Sequence, residues 1–396
     1  MRIKRRMSLL FVLAMLFFGQ IAVNTTKAEI IRGPYLCDVT KESIAIGWET
    51  KEASGTVVEY TTDAQYAASG GAYDEQAEEP GDVKRHKIIL RNLMPSASYH
   101  YRVVSDPDEG EDNSFHTAVE WSEPFTLIAY GDTRTNPADH QVVVDTIIEH
   151  QPDLVLNSGD LVDNGNVLGQ WDTFFDTAKD LLKGTPYYPT LGNHDNNAQN
   201  YYDLFYLPTA GGKEDEQWYS FDYGNAHIVC LDSEVLYSAD QLSWLEDDLA
   251  RAASTAQWIF VNFHHPPYSS GKHGSEFASM PEWIDAFERY GVDIVFSGHD
   301  HIYERSVNND IWYIVTGGGG APRYSVNAKP NPYQVYAEST LHFTKVRVDG
   351  AQLTLEMIRP DGTVGDTMVV EETTGVASAN RLPVTWGKIK SEGRDH

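Results

Sequence analysis

Five short stretches of this 396-residue chain carry side chains of the types that can hold metal ions. They are Gly131-Asp132, Ser158-Gly159-Asp160, Gly192-Asn193-His194-Asp195, His264-His265 and Gly298-His299-Asp300-His301. Each follows an apolar run that reads as a strand, at residues 125–130, 154–157, 186–191, 258–263 and 292–297. Loops at strand ends gather at the carboxyl edge of an α/β sheet, where such proteins build their sites. Two adjacent metal ions need this mixture: a carboxylate to share, imidazoles to fill each shell, and open positions for solvent and substrate. Alone, a Gly-Asp behind a strand is an ordinary turn, and a lone His-x-His is more often not a ligand pair. Five such stretches, each behind a strand, are hard to obtain by chance. Three of the 14 histidines (His264, His265 and His273) fall within ten residues. Read as a continuation of the strand, His264 and His265 point to opposite faces, so they cannot both serve one site.

These loops must be positioned by two kinds of architecture. Residues 29–118 read as all-β, with short alternating runs at 43–48, 56–60, 87–90 and 98–104 separated by Gly, Pro, Asp and Ser. Residues 93–101 resemble the tyrosine corner of fibronectin type III sandwiches, in which a Tyr hydroxyl ties back to nearby backbone, and Trp48 reads as core. The acidic segment 69–82 reads as a solvated loop. From 119 to 372 strands alternate with helices. Residues 137–150 form a helix capped by Asn136 with Pro137 at its first position, residues 171–183 a second, and residues 238–252 a third opened by Ser238-x-x-Gln241. With a further strand at 311–315, this predicts an α/β domain of sheets covered by helices. Residues 373–396 lack periodicity and read as a disordered tail.

Arg2, Lys4, Arg5 and Arg6 precede an apolar run from Leu9 to Phe18, and small residues follow up to Ala28. This is the layout of a secretory signal over residues 1–28, too short to span a bilayer, and it predicts an exported protein with no membrane span. Removing it takes five basic and no acidic residues, moving the formal charge from −28 to −33. Such a chain does not bind nucleic acid or anionic lipid through bulk charge. An anionic substrate needs a strong local positive centre. Cys37 and Cys230 are the only cysteines, and both read as unpaired core residues. Oligomeric state is not legible.

With these residues in view, the chain resembles the calcineurin-like metallophosphoesterases, and more closely the purple acid phosphatase branch with its N-terminal fibronectin type III-like domain. The similarity continues through WYSFDYG at 218–224, LDSE at 231–234, QLSWL at 241–245 and GHDHIYER at 298–305, and covers nearly all of 31–371. The resemblance implies a four-layer α/β (α+β) sandwich of two mixed sheets flanked by helices, preceded by the small all-β sandwich. It also implies two metal ions per subunit, iron with zinc, manganese or a second iron. One would take Asp132, Asp160 and His301, the other Asn193, His264 and His299, with Asp160 bridging. His264 is the ligand of its pair because the family places that histidine two residues before a proline, here Pro266. His265 is then structural. His273 matches a histidine that reaches substrate phosphate, and His194 one that contacts the leaving-group oxygen, where a histidine can act as general acid. Asp195 orients His194 or caps a turn.

Two positions depart from the family. The purple branch has a tyrosine three residues after the bridging aspartate, and here that residue is Asp163. The wider superfamily has a histidine two residues after the first aspartate, and here it is Arg134, which cannot ligate but whose guanidinium can hold a phosphate oxygen. Metal identity is therefore open. The implied activity is that of a secreted, acid phosphatase-like hydrolase of small phosphate monoesters, through in-line attack by a metal-bound hydroxide. A phosphodiesterase or nucleotidase with the same ligands is the nearest alternative, and a non-catalytic metal-binding surface module a more distant one. Gly317–Gly320 follows a strand too late in the chain for a phosphate loop and reads as a tight turn beside the metals.

Overall fold

The computed structural model describes residues 28–105 and 108–371. All of the expected signal except Ala28, and the tail at 373–396, lie outside the described residues.

Alternating apolar residues build the N-terminal sheet. Strand Ser43–Thr62 pairs with Ile30–Cys37, with Glu75–Arg91 and with Ser98–Ser105, burying Ile44, Ile46, Trp48 and Val58 on one side. The tie expected of Tyr99 is present, its Oη accepting the Met94 N–H at 2.9 Å. The segment 69–82 is not the loop its composition suggested. Helix Asp63–Ser69 ends at Gly70, and from Glu75 the chain is a strand paired with residues 54–60. Its side chains are charged because that stretch is exposed, and Pro80, which has no N–H to give, falls where the register shifts.

Two further sheets carry the rest. One runs in the order Val364–Glu371, Gln352–Ile358, Phe343–Asp349, Phe125–Tyr130, Leu154–Asn157, Tyr187–Pro189. The other runs Tyr219–Tyr223, Ala226–Cys230, Trp258–Asn262, Ile294–Ser297, Ile311–Thr316, Tyr303–Asn308, Gln334–Glu338. Both mix parallel and antiparallel pairs. They meet through Asn262 Nδ2, which donates to Asn157 O at 3.0 Å, and Thr316 Oγ1, which donates to Ala129 O at 3.1 Å. Helices Pro137–Glu149 and Leu168–Leu182 flank the first sheet, and Ala239–Thr255 and Pro281–Tyr290 the second. Asn136 and Ser238 cap their helices as expected. The layered α/β architecture with a β-rich N-terminal unit is therefore present, and both cysteines are free and buried.

The N-terminal sheet is seated on the first of these sheets. Val39 N–H donates to Tyr188 Oη at 2.8 Å, Tyr101 Oη donates to Lys183 O at 2.7 Å, and Tyr35 and Phe175 pack with centroids 4.9 Å apart. Arg32 joins Glu49 to Asp172 of the helix Leu168–Leu182. One apolar core runs through both units.

Candidate metal centre

Strands Phe125–Tyr130, Leu154–Asn157, Trp258–Asn262 and Ile294–Ser297 end side by side, and each hands its chain to a turn that carries a candidate ligand. Asp132, Asp160 and His299 sit at φ of 56°, 54° and 65°, the left-handed region that costs most residues energy and that clusters at functional sites. Gly192 is required by close approach, since a Cβ there would collide with the Asp160 carboxylate. The Gly317–Gly320 turn passes beside Asp132 as expected, and Gly319 N–H donates to Gly131 O at 2.9 Å.

All six expected ligands converge. At one pole, His264 Nε2, His299 Nδ1 and Asn193 Oδ1 form a triangle with edges of 3.1, 3.1 and 3.2 Å. Ligand atoms about 2.1 Å from one ion stand about 3.0–3.4 Å apart, so the triangle has the size of a coordination face. His264 Nδ1 is 2.9 Å from Ser158 O, which only accepts, so Nδ1 carries the proton and Nε2 turns a lone pair to the triangle. Burial holds the His264 and His299 imidazoles well below their usual pKa, and so neutral. At the other pole, His301 Nδ1–H donates to Pro322 O at 2.6 Å, leaving Nε2 to face Asp132 Oδ1 at 3.3 Å. Both of these buried atoms lack a hydrogen-bond partner. A buried carboxylate facing an imidazole nitrogen fits a cation, either a proton on the ring or a metal ion: burial pushes the Asp132 carboxyl up to about 6, and against burial the Asp132 contact draws the His301 imidazole upward. Asp160 lies between the poles, its Oδ1 3.5 Å from His264 Nε2. Ligand atoms of Asp132, Asp160 and His264 all fall within 4.8 Å of one another.

Two of the five stretches also supply supports of this cluster, Asp195 and Asp300. Asp195 is fully buried and caps the turn it closes: its N–H donates to Gly192 O at 3.0 Å and its carboxylate accepts the Gly192 N–H at 2.9 Å. Its carboxylate accepts the N–H groups of Asp160, Leu161, Val162 and Gly192, tying the bridging-aspartate loop to the Asn193 loop. Asp300 does the same for the His273 loop, accepting the N–H groups of His273 and Gly274 and the Ser269 hydroxyl. Tyr324 stacks on His301 with centroids 4.0 Å apart.

His265 does not face away from the site. The strand ends at Asn262, so alternation no longer applies three residues later, and the His265 ring lies 4.5 Å from the His299 ring. Its Nδ1 is engaged by Ser233 Oγ at 2.9 Å, outside the ligand triangle. His264→Ala is expected to lose one metal, whereas His265→Ala keeps both and substantial activity. Metal analysis of the two variants checks this, and the reverse outcome would exchange their roles. His194 Nδ1 is 2.9 Å from Asp163 O, and the His273 ring packs 4.0 Å from that of His299. Arg134 is already engaged: Nε donates to Asp160 Oδ2 at 3.1 Å and Nη1 to Asp163 Oδ1 at 3.0 Å. Asp163 is thus drawn to Arg134 rather than to the ligand cluster.

Comparison with known proteins agrees with this geometry. The model for calcineurin-like phosphoesterase matches residues 125–303, that for the purple acid phosphatase N-terminal domain residues 35–128, and that for iron/zinc purple acid phosphatase-like protein C residues 311–367. Acid phosphatase type 7 of Mus musculus is 27% identical over 73% of this chain and 78% of its own length. Purple acid phosphatase 23 of Arabidopsis thaliana is 27% identical over 65% of this chain and 67% of its own. An uncharacterised Mycobacterium tuberculosis protein is 28% identical over 57% of this chain, which spans only about half of that relative, 51%. The structure of a purple acid phosphatase from yellow lupin seeds superposes with a TM-score of 0.74 at 19% identity, covering 85% of this chain and 74% of that one, a likeness of fold. The three family models follow one another along residues 35–367, and the central one contains all the converging ligands, so the chain belongs to the calcineurin-like phosphoesterase family, in its purple acid phosphatase branch.

Proposed function

We propose that this chain hydrolyses small phosphate monoesters at a pair of metal ions, one held by Asp132, Asp160 and His301, the other by Asn193, His264 and His299, with Asp160 common to both. The observation that carries the proposal is the convergence of buried lone pairs at two poles around Asp160. A bound metal pair supplies Lewis acidity toward phosphate oxygens and an activated water.

The chain's own residues do the rest. Because His194 Nδ1–H is held by Asp163 O, the proton it hands over is the one on Nε2. After transfer the ring is left as the Nδ1–H tautomer that Asp163 already holds. His194 therefore protonates the leaving oxygen without reorienting. His273, with its backbone pinned to Asp300 and its ring against His299, presents a donor to a phosphate oxygen. Arg134 keeps Nη2 for the same purpose while Nε and Nη1 remain on carboxylates. We extend the proposal to location: the basic and apolar run in residues 1–28 supports export, and among the described residues no helix is long and apolar enough to cross a membrane.

Metal analysis combined with a substrate panel tests this reading. Two ions per chain and faster hydrolysis of monoesters than of diesters are expected. Preference for diesters would make it a phosphodiesterase, and two ions without turnover a metal-binding module. Colour gives a separate check. With Asp163 where the branch has tyrosine, the iron-loaded protein is expected to lack an intense tyrosinate band in its visible spectrum. A strong purple absorbance would add a tyrosine to the ligands, and Tyr324, whose ring stacks on that of His301, is the first to substitute.

A further inference from the structure

Asp300 stands between two of the converging ligands, His299 and His301, and is itself fully buried. Its backbone belongs to the turn that delivers both: Asp300 N–H donates to Gly298 O at 2.8 Å, and Asp300 O accepts the Ile302 N–H at 2.7 Å. That turn is tied across the centre, because His299 N–H donates to Asp132 Oδ2 at 2.9 Å. The Asp300 side chain leaves the turn for the loop that carries His273. Its Oδ1 accepts the His273 N–H at 2.8 Å, and its Oδ2 accepts the Ser269 hydroxyl at 2.6 Å and the Gly274 N–H at 3.1 Å. Gly271 permits this approach, since a Cβ there would stand 2.4 Å from the Asp300 carboxyl carbon. Four residues on, buried Glu304 accepts the Ser270 N–H and hydroxyl, both at 2.6 Å. The loop is thus hung on carboxylates of the same stretch that supplies two ligands.

We propose that Asp300 is a positioning residue that couples the metal centre to the His273 loop, so that His273 is set in place only when the centre is filled. The proposal rests on the metal-centre reading above, which makes His299 and His301 ligands. With an ion on each of those side chains, the backbone is fixed on both sides of Asp300. A carboxylate on so short a tether then has few rotamers left, and its three acceptances hold the loop. Without ions the same turn has less to hold it. His299 Nδ1 meets Asn193 Oδ1 at 3.1 Å and His264 Nε2 at 3.2 Å, and one proton among three acceptors leaves contacts unpaired. His299 also sits at φ 65°, a conformation that relaxes once nothing holds the side chain. The loosening reaches His273 through the shared carboxylate. Such coupling is reciprocal, so an anion that engages His273 tightens the metals in return.

The test uses hydrogen exchange and binding rather than turnover. Amide exchange at residues 269–274 is followed in the full chain, with metals removed by a chelator and then restored. The His273 and Gly274 amides are expected to be protected in the loaded protein and to lose that protection on removal, while the helix Ala239–Thr255 stays protected in both. This comparison needs no variant, so it decides even where a substitution does not fold. Asp300→Asn keeps the shape but turns one acceptor into a donor. At saturating metal it is expected to keep both ions, to leave the loop unprotected, and to weaken inorganic phosphate binding by about 10–100-fold. A cycle with His273→Ala separates positioning from general support. If Asp300 acts through His273, Asp300→Asn has no further effect on phosphate affinity once His273 is alanine. Additive losses, or no loss from Asp300→Asn alone, would overturn the proposal. Two bound ions with unchanged loop exchange would remove the coupling and leave the metal centre standing. Loop protection that follows the metals, with normal phosphate affinity in His273→Ala, would support the coupling and remove only the assignment of His273 to phosphate.

Discussion

Asp160→Ala is expected to leave the protein with one metal ion or fewer and no measurable turnover. The carboxylate lies between the two poles, within 4.8 Å of ligand atoms of both Asp132 and His264, and it is fully buried. Its Oδ1 accepts the His194 N–H at 2.9 Å, and its Oδ2 accepts Arg134 Nε. Alanine thus removes a ligand from both shells, releases the loop that carries His194, and leaves Arg134 beside a cation site with only Asp163 to balance it. A buried charge that loses its partner is costly, on the order of 3–5 kcal/mol, so Arg134 should swing outward and open the centre further. Alanine also fits poorly at φ 54°, whereas asparagine is tolerated there. Asp160→Asn is the companion variant, keeping shape and backbone while removing charge, and should show the same metal loss with a normal thermal melt. Elemental analysis with a phosphatase assay decides. Two tightly held ions in either variant would remove Asp160 from the shared position.

The second large effect concerns the proton. A general acid matters most when the leaving group is a poor one, such as an alkoxide, and little for nitrophenolate, which departs unaided. Its typical worth is about 10²–10⁴-fold. His194→Ala is expected to keep both metals and to lose rate in that range on alkyl phosphates, with a much smaller loss on nitrophenyl phosphate. The structure sharpens the expectation, because the ring is held only through Nδ1 on the Asp163 carbonyl and is about a third exposed, so its removal leaves no unpaired buried group. Steady-state rates on the two substrates give the answer. Equal losses on both would make His194 a phosphate-positioning residue and return the proton to His273 or to solvent.

The cluster of candidate ligands was legible in the sequence because each member follows an apolar strand, and strand ends are what a sheet brings together. The strands at Phe125–Tyr130 and Leu154–Asn157 are found where the apolar runs placed them, and helix starts were marked by Asn136 and Ser238. What escaped was of two kinds. Local readings failed where a pattern was carried past its element: His265 was assigned a face by a strand that had already ended, and the paired stretch from Glu75 looked like a loop because exposure, not the absence of pairing, makes it acidic. Long-range readings failed because nothing local records a partner. Asp195 binds three N–H groups more than 30 residues away, Asp300 reaches back 26 or more to the His273 loop, and Tyr324 meets His301 only in the folded chain.

The seating of the N-terminal sheet bears on how this chain can vary by recombination. Tyr188 lies on a strand of the metal-bearing sheet, yet its hydroxyl is matched by Val39. Phe175 and Asp172 lie on the helix Leu168–Leu182 that flanks this sheet, yet they are covered or paired by Tyr35 and Arg32. A chimera joining this catalytic unit to another protein's sandwich would inherit an uncovered aromatic face and an unmatched Tyr188 hydroxyl. The two units are therefore expected to be inherited together, with matched changes at Tyr35, Val39, Phe175 and Tyr188, rather than to be exchanged as independent modules.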